Sequence, residues 1–233
     1  NSCEFRMKQT VNPSLTWYEA TTDCGEMRTP LRGTVRADVC VIGGGLAGLT
    51  TALELSRRRK KVILLESKQL AWGASGRNGG FVSNGFAEGI ENVQKRIGLE
   101  AARALYSLSR QGSEYVRGEI ACSDPAIKMG DGWIVALRHR DAGDLKSYRD
   151  MMARDYGEEL QFLSTEQTRE KLNSVRYFES ISNSGAFHIH PLKYSLMLAR
   201  EAEKSGASLH ESSPALAVEK LGNEWRVRCA EGE

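Results

Sequence analysis

The sequence lacks a long hydrophobic run. Its longest apolar stretches, residues 37–48 and 62–65, are far shorter than the roughly 20 residues that a membrane-spanning helix needs. We therefore expect neither a transmembrane segment nor a membrane partner.

An excess of charge of one sign is also missing. The 233 residues include 32 lysines and arginines and 30 aspartates and glutamates, which gives a formal net charge of +2. Nucleic-acid-binding domains concentrate basic side chains in a patch. The one basic run here, residues 57–61, follows a predicted helix, where positive charge favours the negative end of the helix dipole. We therefore expect no nucleic-acid partner.

Cysteine is scarce. The five cysteines form no CxxC pair, and their odd number argues against a disulfide framework or a zinc site. We expect a cytoplasmic protein that binds no metal. Because the chain opens on Asn1 and Met7 follows shortly after, we also expect residues 1–6 to be a remnant of expression cloning.

Strand and helix patterns alternate after a polar arm at residues 1–36, which shows neither a helical nor a strand period. The apolar run at residues 37–42 is typical of a strand buried on both faces of a parallel sheet. A helical period follows over residues 46–60, and residues 62–65 predict a second buried strand. Together they predict one βαβ unit, from Val39 to Glu66.

The remainder of the chain predicts an α/β fold. Residues 37–87 and 186–233 are interpreted as a Rossmann-like dinucleotide-binding domain, interrupted at residues 88–185 by a helical and α+β insertion that forms part of a substrate domain. Residues 73–89 are too rich in glycine for a regular element. The predicted helices cover residues 90–120 (one or two helices), 142–156, 165–172 after Ser164 as N-cap, and 191–205 until Gly206. The predicted strands cover residues 133–137, 208–211, 215–220 and 225–229, the last two joined as a hairpin across Gly222 and Asn223.

A glycine motif joins the strand and the helix of the βαβ unit. Gly43, Gly45 and Gly48 satisfy G-x-G-x-x-G at the position that dinucleotide-binding folds use. The first glycine permits a tight turn, the second lets the backbone approach a pyrophosphate, and the third lets the helix and strand pack closely. Glu66 stands where this fingerprint places the acid that accepts hydrogen bonds from ribose hydroxyls, and it disfavours the 2′-phosphate of NADP.

A second glycine cluster, residues 73–80, directly follows this acid and favours FAD over NAD. Two further runs are LTWYEA at residues 15–20 and HIHPLKY at residues 188–194. With these motifs the chain resembles FAD-dependent oxidoreductases of the D-amino-acid oxidase (DAO) family, most closely the gamma-glutamylputrescine oxidase-like branch. The resemblance implies FAD as cofactor and a FAD/NAD(P)-binding fold of the glutathione-reductase type.

The resemblance also implies a chemistry. A small-molecule amine or amino acid would pass a hydride from the carbon that bears nitrogen to flavin N5, the imine would hydrolyse, and oxygen would reoxidise the flavin.

Cofactor contacts follow from the same resemblance. In relatives the loop at residues 73–80 passes along the pyrophosphate and the flavin ring, and its glycines bring backbone amides close to both. A backbone contact to adenine falls on Ala215. The candidate FAD-binding residues are Gly43, Gly45, Leu46, Ala47, Gly48, Glu66, Ser67, Gly73, Ala74, Ser75, Arg77, Asn78, Gly79, Gly80 and Ala215.

No catalytic residue is predicted. His188 and His190 precede a helix that begins with proline, where a histidine more often packs or caps the helix, and flavin chemistry does not require a protein base. Trp133 and Tyr156 are candidates for a substrate pocket, although such aromatic residues more often belong to the core.

Relatives continue well past residue 233, so we expect an N-terminal fragment that self-associates or pairs with a separate chain supplying the missing half.

Three functions stay open at this point. The leading hypothesis is an FAD-dependent amine or amino-acid oxidoreductase. The alternatives are a catalytically silent dinucleotide-binding fragment and an NAD-dependent dehydrogenase. The sequence does not predict the substrate.

Overall fold

The computed structural model describes residues 15–233, which fall into two compact units. Of these described residues, one unit comprises 15–79 and 190–233, and the other comprises Gly80–Ile189. The remnant expected at residues 1–6 lies outside the described residues. The predicted α/β class is confirmed, whereas the predicted division into an arm, a cofactor domain and an insertion stays a prediction.

A three-stranded parallel sheet organises the first unit. Its order is β1-β2-β7, with β1 at Val39–Ile42, β2 at Val62–Leu65 and β7 at Ser208–His210. The helices of this unit are α1 (Trp17–Ala20), α2 (Leu46–Arg57) and α7 (Pro191–Lys204), and a hairpin is formed by β8 (Ala217–Leu221) and β9 (Glu224–Arg228). The predicted βαβ unit is therefore present. α1 corrects the expectation of an arm without helical structure.

Helix α2 ends three residues before the end of the helical period that the sequence predicts over residues 46–60. It stops at Arg57 because Arg58 leaves the helical conformation and Arg59 has a positive φ of 61°. The basic run thus begins at the negative end of the helix dipole, as predicted. α7 begins with Pro191, as predicted from the preference of proline for the first helical turn.

The expectation that β1 is buried on both faces is wrong. Cys40 and Ile42 are exposed, Ile42 at 53%. Their neighbours in register on β2, Ile63 and Leu65, are covered by residues that include Leu31. The cluster around Leu31 covers Ile63 and Leu65 of β2, whereas Cys40 and Ile42 of β1 stay exposed. Within the described residues, β1 pairs only with β2.

A second sheet organises Gly80–Ile189. Its order is β3-β6-β4, with β5 also paired to β6, and all these pairs are antiparallel. The strands are β3 (Phe81–Val82), β4 (Lys128–Ala136), β5 (Gln161–Leu163) and β6 (Ser180–Ile189). The helices are α3 (Ile90–Ile97), α4 (Leu99–Ser123), α5 (Gly143–Met151) and α6 (Thr165–Leu172), with one π-helical turn at Met152–Tyr156. Ser164 caps α6, as predicted.

The core of this unit involves the two aromatic residues considered for a substrate pocket. Tyr156 is buried in a cluster with Tyr106 and Ile181, and Trp133 packs against that cluster. Tyr156 therefore belongs to the core, and Trp133 is a partly buried neighbour of that core. Among the helices of residues 15–233, none combines the length and apolar character needed to cross a membrane.

A buried carboxylate ties several elements of this unit together. Glu158 is 8% exposed and accepts hydrogen bonds from Asn183 Nδ2 at 2.7 Å and Asn84 Nδ2 at 3.1 Å. Arg110, on α4, donates to the same carboxylate at 3.3 Å. Burial and the nearby Glu158 carboxylate raise the pKa of the Tyr106 hydroxyl, which therefore stays protonated.

Candidate functional site

The glycine motif lies between β1 and α2, and at two of its positions the backbone strongly disfavours any residue other than glycine. Gly43 has a φ of +104°, in the region that favours glycine. A Cβ on Gly48 would lie 1.9 Å from the carbonyl oxygen of Gly43. The first and third glycines of the motif are therefore required by the turn and by close helix packing.

The N-terminus of α2 is open to an anion. Its N-cap, Gly45, has no side chain that could accept a hydrogen bond, and the first turn contains no acidic residue. Ser75 Oγ accepts a hydrogen bond from the Leu46 amide at 2.9 Å, so residues 73–79 of the loop start beside this helix end. Exposed amides and the helix dipole at such an end favour phosphate. The donor set therefore fits a pyrophosphate.

Glu66, at the end of β2, is held beside the glycine motif. Its Oε2 accepts from the Gly44 amide at 2.7 Å, and its Oε1 accepts from the Lys68 amide at 2.8 Å and from Ser67 Oγ at 3.0 Å. These bonds fix the orientation of the carboxylate, and Oε2 keeps one lone pair for a further donor. Glu66 and Ser67, both predicted, thus lie together, and the carboxylate can accept a hydrogen bond from a ribose hydroxyl through Oε2.

The second glycine cluster forms a tight loop. It includes a 3-10 turn at Ala74–Gly76, and a Cβ on Gly76 would lie 2.4 Å from the carbonyl oxygen of Ala71. Asn78 Nδ2 donates to the Ala74 and Ser75 carbonyls at 3.1 and 3.0 Å. The short strand β3, which follows, corrects the expectation that residues 73–89 contain no regular element.

Arg77 and Gly80 have partners within the protein. The Arg77 guanidinium lies 4.9 Å from the centre of the Trp72 ring and 3.5 Å from Glu19 Oε1. Gly80 belongs to the other unit, where a Cβ would lie 2.1 Å from the Ile189 carbonyl oxygen. The direct FAD contacts assigned to Arg77, Asn78, Gly79 and Gly80 stay predictions.

Ala215 lies outside the strand predicted for it, because β8 begins at Ala217. The segment before it runs beside the ribose acid, since the Ser213 amide donates to the Glu66 carbonyl at 2.7 Å and the Ser212 amide donates to the Lys68 carbonyl at 2.9 Å. Ala215 therefore stands two residues after Ser213, which is hydrogen-bonded to Glu66. Its adenine contact stays a prediction.

Glu211 was missed by the sequence analysis. It is 3% exposed and accepts from the Leu70 amide at 2.6 Å and the Arg28 amide at 2.7 Å. The carboxylate therefore fixes the chain between Glu66 and the 73–80 loop. No local pattern distinguishes it from a surface glutamate, because both of its partners are far away in sequence.

The two histidines have structural partners. His190 is the N-cap of α7, where its Nδ1 accepts from the Lys193 amide at 3.3 Å. Its Nε2 must then carry the proton, and it donates to Thr21 Oγ1 at 3.1 Å. Burial and the nearby Lys193 lower the pKa of His190, which favours this neutral form. His188, in the other unit, stacks on Phe81 at 5.3 Å between ring centres.

Known proteins are similar to this sequence over most of its length. The chain is 32% identical over 225 residues to the probable oxidoreductase OrdL of Rhizobium meliloti, covering 95% of this chain and 52% of that protein. It is 30% identical over 205 residues to the gamma-glutamylputrescine oxidoreductase of Escherichia coli, covering 87% and 48%. The chain thus spans about half the length of the curated relatives it matches.

Among solved structures, glycine oxidase from Bacillus cereus is similar with a TM-score of 0.64 and 22% identity, covering 84% of this chain and 52% of that one. L-amino acid deaminase from Proteus myxofaciens gives a TM-score of 0.71 at 19% identity, covering 89% and 46%. These likenesses establish the fold. The family model described as DAO, FAD dependent oxidoreductase, matches residues 38–233. The chain therefore belongs to the DAO family of FAD-dependent oxidoreductases, whose cofactor is FAD.

Proposed function

We propose that this chain forms the FAD-binding part of an oxidoreductase that oxidises a small-molecule amine or amino acid. The observation that carries the proposal is the meeting of three groups at one place. Three groups lie together: the N-terminus of α2, whose N-cap Gly45 offers no side-chain acceptor, the oriented carboxylate of Glu66, and the glycine loop anchored by Ser75. This set of groups suits a dinucleotide with a ribose and a pyrophosphate.

Each part of the chain has its own task in this proposal. The α2 amides bind the pyrophosphate, Glu66 orients the ribose, and the backbone of residues 73–79 follows the cofactor. When bound, FAD supplies the acceptor for the hydride that leaves the carbon bearing nitrogen. Flavin chemistry of this type needs no protein base, and we assign no catalytic residue.

The substrate class is supported by the relatives. The Escherichia coli relative is a gamma-glutamylputrescine oxidoreductase, and two structural neighbours are a glycine oxidase and an L-amino acid deaminase. All three names point to compounds with an amine or amino-acid nitrogen. A nitrogen-containing substrate is therefore the proposal for this chain, and its identity is left to experiment.

The test is anaerobic reduction of the bound flavin. The purified chain is saturated with FAD, freed of excess cofactor, and mixed without oxygen with putrescine-type amines, with amino acids, or with an alcohol that lacks nitrogen. We expect the visible flavin band to be lost with an amine or an amino acid and to be retained with the alcohol. Flavin that stays bound and oxidised with every amine and amino acid would contradict the proposed activity. Gly45→Val, whose side chain would collide with Ser75, is the cofactor-site control.

The second candidate is a catalytically silent FAD-binding chain. Two observations favour it: the chain spans about half of its relatives' length, and Tyr156 packs in a core against which Trp133 lies. In the same experiment this candidate predicts a yellow protein that no substrate reduces. Self-association, or pairing with a separate chain, stays a prediction that sedimentation would measure.

A further inference from the structure

Residues 21–28 of the N-terminal arm are attached to helix α7 near both of its ends. Near the start of the helix, Thr21 Oγ1 lies 3.1 Å from His190 Nε2. Near its end, Arg28 forms two hydrogen bonds with Glu203, at 2.9 and 3.1 Å. Thirteen helical residues rise about 20 Å, and a seven-residue segment is long enough to cover that distance. Residues 21–28 are therefore attached to α7 near both of its ends.

Glu19, in the arm, has one carboxylate oxygen committed to its own helix. Glu19 Oε2 accepts from the amide and from the hydroxyl of Thr16, both at 2.8 Å, in a capping box that closes α1. These hydrogen bonds from Thr16 lower the pKa of Glu19, with a smaller contribution from Arg77, so the carboxylate is ionised. The other oxygen, Oε1, faces Arg77.

Arg77 connects this carboxylate to the glycine loop. Its terminal nitrogen lies 3.5 Å from Glu19 Oε1, and the side chains are 41% and 23% exposed. The guanidinium also lies over Trp72, whose ring is approached by Lys68 Nζ at 3.2 Å from the ring centre. The side chain of Arg77 is therefore held by groups of the protein on two sides.

Helix α7 supports the loop from another side. A Cβ on Gly76 would come within 3.2 Å of Leu192 Cδ1, on the first turn of α7. The same helix holds the arm through His190. The arm, α7 and the loop thus form one connected arrangement within the unit that contains the glycine motif.

We propose that Glu19 is a positioning residue for the 73–79 loop and acts through Arg77, which links the arm to the loop. The role rests on the proposed function, because positioning matters to FAD only if this loop follows the cofactor. It differs from a direct contact between Arg77 and FAD. The geometry favours the link because the guanidinium is already engaged by Glu19 and Trp72.

Hydrogen–deuterium exchange of the loop amides, without added FAD, tests the link itself. Glu19→Gln removes the charge but keeps the capping box, since glutamine also closes it. We expect exchange of the amides of residues 75–79 to rise about two- to fivefold, the range for a partly exposed ion pair. Glu54→Gln, which removes a carboxylate paired with Arg57 on α2, is the matched control and should leave the loop unchanged.

A double-mutant cycle completes the test. Arg77→Gln should raise the exchange as Glu19→Gln does, and the double variant should add little to either single change. Unchanged exchange in Glu19→Gln, or additive effects of the two changes, would overturn the proposal.

FAD affinity gives the second readout. Arg77→Gln should weaken FAD binding in the parent chain and have little further effect in a Glu19→Gln background. An equal loss in both backgrounds would assign Arg77 to direct contact with FAD and overturn the link. If the parent chain fails to bind FAD, the proposed function fails, while the exchange experiment still decides whether Glu19 positions the loop.

Discussion

Gly48 offers the sharpest test of how the glycine motif is built. In Gly48→Ala the new Cβ would lie 1.9 Å from the Gly43 carbonyl oxygen, whereas real Cβ contacts essentially never fall below 3.0 Å. The start of α2 must therefore move by about 1 Å, and because the clash is with a backbone atom the cost lies in the upper part of the range for overpacking, about 2–3 kcal/mol. Alanine gains back about 1 kcal/mol of helix propensity, so we expect a net loss of about 1–2 kcal/mol.

Thermal unfolding followed by circular dichroism measures this loss. For a chain of this size it corresponds to a decrease in Tm of about 2–8 °C. Gly118→Ala is the matched control, because a Cβ there meets nothing within 4 Å and Gly118 lies inside α4. The same substitution should stabilise at this position, by about 0.5–1 kcal/mol. Equal stabilisation by both changes would refute the close helix packing described here.

Three further predictions concern single side chains. Glu66→Ala should weaken FAD binding about 10- to 100-fold in equilibrium dialysis, because charge-assisted hydrogen bonds to the ribose are lost, and unchanged affinity would exclude its ribose role. In the folded chain the pKa of His190 lies below its ordinary value of 6.5. The contribution of neutral His190 to folding stability is therefore present above pH 6.5 and is lost as the pH falls through the folded pKa. His190→Asn, which keeps an N-cap acceptor, should flatten this pH dependence of Tm, and an unaltered profile would assign it to another group. Glu158→Ala should destabilise by about 2–3 kcal/mol in thermal unfolding by leaving Asn183 without its acceptor, whereas the exposed neighbour Glu159→Ala should change stability little, and equal effects would contradict the buried network.

Local patterns predicted the elements whose residues are close in sequence. The βαβ unit, the N-cap at Ser164 and the start of α7 at Pro191 all depend on spacing within a few residues. Strand β6 was missed because Ser182, Asn183 and neighbouring small polar residues interrupt its apolar alternation. Pairing with strands on both sides stabilises it, and such long-range pairing leaves no local pattern.

The same distinction applies to the site. The glycines and Glu66 could be predicted because one short segment contains them all. The supporting contacts of Glu19, Glu211 and His190 join residues separated by tens to well over a hundred positions, so spacing gives no indication of them. The exposed face of β1 was mispredicted for a related reason, since apolar composition does not tell which neighbours cover a strand.

Binding of FAD by the purified chain tests the central claim most directly. The chain is mixed with FAD or with NADH, separated from free cofactor by gel filtration, and its visible spectrum is recorded. We expect the protein fraction to retain the flavin absorption band, to lose it in Gly45→Val, and to retain no NADH. A colourless parent chain after treatment with FAD, or retention of NADH instead, would contradict the account.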